Sequence, residues 1–127
     1  MAVYRKMLDA GAFDETSAKI FASICMAYEG RGEDGLFFNA PLVIIVFADT
    51  DTDGAIAAAN IGYTAQANQL GYCFARLPIR AFEDPEYAEK WQAPKGKKCV
   101  IVLNIGNPEP EYFSSVPRKE LSVRIIN

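Results

Sequence analysis

"DGAIAAANIGYTAQANQLGYCFARLP", residues 53–78, is the stretch whose reading decides the fold. Ala55, Ala58, Ala59, Gly62 and Ala65 share one face at helical spacing. So small a face permits close backbone approach to another helix or to a sheet. Ile56, Ile61 and Tyr63 add bulk elsewhere, which predicts a helix buried on most sides. Asp51 or Asp53 is placed to cap its start, and Gly71 to supply the left-handed position past its end. "YCFARL" then reads as a short strand stopped by Pro78. The question is what the backbone just beyond Pro78 holds.

Outward from this stretch, "LVIIVFA", 42–48, is continuously apolar and β-branched, as in a strand covered on both faces, with Pro41 confining its start. "DTDTDG", 49–54, is an acidic turn and helix cap. It lacks the spacing and the late glutamate of a calcium loop. "DPEYAEKW" starts a short helix at Asp84 with Pro85 in its first turn, and "KCVIVLNIG", 98–106, is a second central-type strand closed by Gly106. Upstream, Val3, Met7 and Ala10 mark a short helix stopped by Gly11. A second helix follows, capped by Asp14, with a stripe of Ile20, Ile24 and Tyr28 and with Phe21 and Cys25 beside it. Gly30, Gly32 and Gly35 predict a mobile loop after it. "NPEPEYFSSVPRKE" reads as an extended excursion with solvated Glu109 and Glu111, and "LSVRIIN" as a closing β-type segment that pairs with something distant, such as another subunit. The order predicts one domain over residues 1–127, of α+β class: a three-layer, sandwich-like arrangement with a mixed sheet flanked by helices.

The 127 residues suit a single domain, and half of them are hydrophobic. A formal charge of −3 without a Lys/Arg block argues against nucleic-acid binding. No membrane-length apolar run or signal peptide is present, so the expected setting is cytoplasmic. The absence of histidine removes Ser-His-Asp and Cys-His catalysis and most zinc chemistry. Cys25, Cys73 and Cys99 are widely spaced among apolar neighbours, and read as buried reduced thiols rather than metal ligands or disulfides.

Four stretches, in order, carry a resemblance to a known family: "FFNAPLVIIVFAD", "DGAIAAANIGYTAQANQLGYCFARLP", "CVIVLNIGNPEP" and "PRKELSVRIIN". Each is weak alone, but the ordered set resembles the nitroreductase family of FMN-dependent oxidoreductases. The resemblance implies a homodimer that holds FMN between its subunits, with helix 54–70 packed against its mate and the C-terminal strand reaching to the partner. It implies hydride transfer from NAD(P)H through flavin N5 to a nitroaromatic, quinone or similar acceptor, with no catalytic side chain and no metal. It places Pro78, Ile79, Arg80 and Ala81 beside the flavin ring. Pro78 has no N–H, so Arg80 or Ala81 would be the donor to N5. Many members have Glu-Gly where this chain has Arg80–Ala81. Gly71 and Tyr72 would lie close to the cofactor, and Arg118 and Lys119 near its phosphate, where a guanidinium pairs two oxygens at once. Phe37, Phe38 and Tyr112 are the candidate aromatics of the acceptor cleft.

The family's N-terminal phosphate-gripping motif has no counterpart: "MAVYRKMLDAGAF" has Arg5 and Lys6 at a different spacing. The chain is expected to be an abbreviated version that begins partway into the family's domain. Two other readings therefore stay open beside the enzyme. One is a flavin-free scaffold, or a subunit of a hetero-assembly, that has lost the phosphate site. The other is a fragment of a longer chain.

Overall fold

A computed structural model of the chain describes residues 1–108 and 119–120. The elements run α1 (Ala2–Asp9), α2 (Glu15–Arg31), β1 (Leu42–Ala48), α3 (Asp51–Ala67), β2 (Gly71–Ala75), a 3-10 segment (Leu77–Glu83), α4 (Pro85–Lys90) and β3 (Lys98–Gly106). Among the described residues the strands form one sheet of order β1-β3-β2, and both pairings are antiparallel. The excursion 109–118 and the closing segment 121–127 lie outside the described residues.

The sheet separates two cores. On one face α3 lies over β3, and Ala58, Ala65, Val46, Leu103 and Ile105 pack together. On the other face α1, α2 and the 3-10 segment bury Tyr4, Phe21, Cys25, Leu36 and Ala81. This is the three-layer arrangement that the element order predicts. The small-residue face of α3 turns toward the sheet, with Gly54, Ala58, Gly62 and Ala65 buried. A Cβ at Gly54 would come within 2.6 Å of the Val100 side chain, and one at Gly62 within 2.6 Å of the Tyr72 ring. Val100 itself is the extra residue of a β-bulge, where the register steps from Val46↔Ile101 to Phe47↔Cys99.

The helix ends follow local chemistry. Asp14 caps α2 by accepting from the Thr16 and Ser17 amides at 3.0 Å. Thr50, rather than Asp51 or Asp53, caps α3: its hydroxyl accepts from the Asp53 amide at 3.1 Å. The left-handed residue past α3 is Gln69, with φ of 60°, rather than Gly71, which opens β2. Leu70 N–H donates to Ala65 O and Gln69 N–H to Gln66 O, both at 2.9 Å, which is the Schellman pattern. α2 runs on through Gly30 and ends at Gly32, whose φ is 69°. The inward stripe of α2 is Phe21 and Cys25, while Ile20 and Tyr28 are exposed. The three-residue offset was read from the wrong starting residue, because either register leaves an apolar stripe.

Two substitutions test these constraints. Gln69→Gly relieves a left-handed side chain and should raise stability by about 0.5–1 kcal/mol, read as a higher urea midpoint at constant slope. Gly54→Ala drives a methyl into Val100 and should lower stability by about 1–3 kcal/mol in the same assay.

Candidate functional site

The residues singled out in the sequence fall on both sides of the sheet. Tyr72 pairs with Ile105 on β3 and packs into the α3 core, edge-to-face with Phe74 at 5.3 Å. Gly71 stands opposite Gly106, and a Cβ there would lie 3.2 Å from Pro108. Pro78 and Ala81 belong to the opposite face. Ala81 is 1% exposed in the core of α1 and α2, and the Pro78 carbonyl accepts the Tyr4 hydroxyl at 3.4 Å. The Ile79 amide donates to Arg76 O at 3.2 Å. A 3-10 turn pairs later amides with carbonyls three residues back, so Arg80 and Ala81 amides have partners of the same kind. The Arg80 guanidinium pairs with Glu83 at 2.6 Å and lies 5.6 Å over the Phe13 ring. Lys119 is exposed, and Arg118 and Tyr112 lie outside the described residues.

The concave feature next to this segment is a cavity of about 190 Å³ between the sheet and α4. Pro78, Phe82, Tyr87 and Trp91 form one side, Val43, Ile45 and Val102 the floor, and Phe37 an end. Phe82 meets Phe47 and Tyr87 edge-to-face, each at 5.3 Å. α4 is set by Asp84, whose carboxylate accepts the Tyr87 amide at 3.0 Å and pairs with Lys6 at 2.7 Å. The hydrogen bond from Lys6 holds the Asp84 carboxyl below its ordinary range. Phe37 is set by Asp34, whose carboxylate accepts from the Leu36, Phe37 and Asn39 amides at 3.1, 2.9 and 3.2 Å. The glycine-rich loop expected here is therefore a pinned turn. Phe38 and Asn39 both have φ of 53°, and Phe38 stands out into solvent.

Asn104 was not singled out. It is 6% exposed, its Nδ2 donates to Leu36 O at 3.2 Å, and its Oδ1 has no partner. A lone amide in the otherwise apolar "KCVIVLNIG" was the signal that marked it.

The three thiols differ. Cys25 is fully buried, and burial raises its pKa. Cys99 is half-buried, and burial pushes it up to about 11. Cys73 is exposed on β2, against the expectation of burial, because its side of that strand is not covered. Ellman's reagent on the native protein at pH 8 should therefore titrate one thiol quickly, and Cys73→Ser should remove that phase.

No family model matches the chain, and no curated protein matches it. Two solved structures do. An FMN-dependent nitroreductase from Clostridium difficile R20291 shares 26% identity over 75% of this chain and 62% of its own, with a TM-score of 0.53. A nitroreductase with bound FMN from Bacteroides fragilis NCTC 9343 shares 18% identity over 99% of this chain and 69% of its own, with a TM-score of 0.68. The chain thus spans less than two thirds of the length of the first. No helix among the described residues is long and apolar enough to cross a membrane. The helix–sheet–helix layering and both likenesses give the chain a nitroreductase-like fold in abbreviated form and support its relationship to the nitroreductase family.

Proposed function

We propose that the chain is an FMN-dependent oxidoreductase of the nitroreductase kind, a single domain over residues 1–127 that acts as a cytoplasmic homodimer on NAD(P)H and a nitroaromatic, quinone or similar acceptor. The observation that carries this reading is the likeness, at 26% identity over 75% of the chain, to a protein described as an FMN-dependent nitroreductase. FMN, when bound, supplies a two-electron carrier between hydride donor and acceptor. The residues proposed to hold it are Gly71, Tyr72, Pro78, Ile79, Arg80, Ala81, Arg118 and Lys119.

The described residues of one chain do not enclose a group of that size. The cavity that Pro78 lines measures about 190 Å³, below the roughly 300–1,000 Å³ of pockets for larger ligands. The sheet also stands between the Tyr72 ring and Pro78. The reading therefore requires a crevice made with a second copy. α3 supplies a face for one: Ile56 and Tyr63 are 58% and 67% exposed beside Ala55 and Ala59. The burial of Ala81 favours the second reading, a flavin-free scaffold or a subunit of a hetero-assembly.

The visible spectrum of the purified protein with excess FMN separates the two. The enzyme reading expects a yellow protein that retains flavin through gel filtration and scatters light as a dimer. Arg118→Ala should then weaken FMN binding tenfold or more, the loss of one charge-assisted bond of about 1.5–3 kcal/mol. A colourless protein at saturating FMN leaves the flavin-free scaffold.

A further inference from the structure

We propose that the cavity between the sheet and α4 is a binding site for a single aromatic ring carrying one hydrogen-bond donor, a ligand of the phenol class. The size sets the ring count. An apolar cavity of about 150 Å³ stays dry and takes a benzene ring, and about 190 Å³ leaves room for one substituent. A three-ring system does not fit, so the site is separate from any flavin crevice between two copies.

The walls set the shape. Phe37 closes one end, and Phe82, Tyr87 and Trp91 run along one side, with Phe82–Tyr87 edge-to-face at 5.3 Å and Tyr87–Trp91 tilted at 6.1 Å. Aromatic walls of this kind offer a ring both stacked and edge-on contacts. The floor is the apolar face of the sheet at Val43, Ile45 and Val102. These surroundings are already fixed by other demands: Asp84 caps α4, and Asp34 pins the turn that carries Phe37. A ligand therefore meets a preformed site and does not have to order it.

The donor requirement comes from Asn104. It lies directly across from Val43 and two residues along β3 from Val102, so it shares their face of the sheet. Its Nδ2 is committed to the carbonyl of Leu36, the neighbour of Phe37, while Oδ1 is buried without a partner. An unpaired buried acceptor costs about 1–3 kcal/mol. A phenolic O–H at this edge of the cavity supplies the missing donor, and a ring without one leaves the acceptor as it was.

Trp91 is the one tryptophan of the chain, and it sits at the rim, 53% exposed. Its emission therefore reports occupancy directly. Phenol titrated into the full chain should change that emission to saturation, and toluene should bind at least tenfold more weakly. Val102→Phe fills the floor and should abolish the phenol response while the protein still melts cooperatively. If that variant does not fold, Val43→Phe, on the strand at the sheet edge, fills the same space. Asn104→Leu should make phenol and toluene equal. Linear, unsaturable quenching by phenol, matching that of a free tryptophan amide, overturns the proposal. So does equal affinity of the unaltered protein for phenol and toluene, whatever the variants do.

Discussion

The structure depends on how closely α3 lies on β3. At Gly54 and Gly62 the helix approaches until no side chain fits between it and Val100 or Tyr72. Glycine costs helix stability, about 0.5–1 kcal/mol against alanine at each site. The cost is offset by burial of Ala58, Ala65, Val46, Leu103 and Ile105 in one apolar layer. The β-bulge at Val100 belongs to the same fit, since it sets the residue that Gly54 must clear. With small residues turned inward, the bulk of α3 is left outward, and Ile56 and Tyr63 stand exposed. The side chains that would make an ordinary core helix are thus the ones free to meet another surface.

The other face of the sheet is built on aromatic contact and tethered polar groups. Tyr4 stacks on Phe21 at 4.9 Å, and Phe21 on Phe13 at 4.5 Å. Burial of Tyr4 drives its phenol well above the usual range, so it stays a neutral donor to the Pro78 carbonyl. Asp34 holds a turn with two non-glycine residues at positive φ, a strain of order 1–3 kcal/mol each, persisting because three amides converge on one carboxylate. Strain kept in this way sets Phe37 against the cavity. This layer is more rigid than the three glycines of the loop suggest.

What was legible in the sequence was whatever local chemistry decides. The bounds of β1 and β3 match the apolar runs 42–48 and 98–106, and the caps at Asp14 and Asp84 follow from side-chain oxygens before helical patterns. Rotation of a helix was less legible: α2 carries apolar residues on two adjoining stripes, and only packing against α1 selects Phe21 and Cys25. The end of α3 misled for a different reason. Gly71 is the residue built for a left-handed turn, yet Gln69 takes it, because Leu70 must fold back onto Ala65 and leave Gly71 free to enter β2 opposite Gly106. The depth of Ala81 and the isolation of Asn104 arise from contacts across 40 to 80 residues of chain, which no local pattern records.

The same geometry limits how one chain can work on a large planar ligand. A β-sheet turns alternate residues to opposite faces, and here Tyr72 and Pro78, six residues apart, end on different sides of it. Side chains divided in this way meet one ligand only past the end or edge of the sheet, where Gly71, Gly106 and Pro108 come together. There the small residues leave backbone accessible and little side-chain wall. A ligand larger than one ring must then take its remaining walls from elsewhere, and the outward face of α3 gives a second chain a reason to supply them.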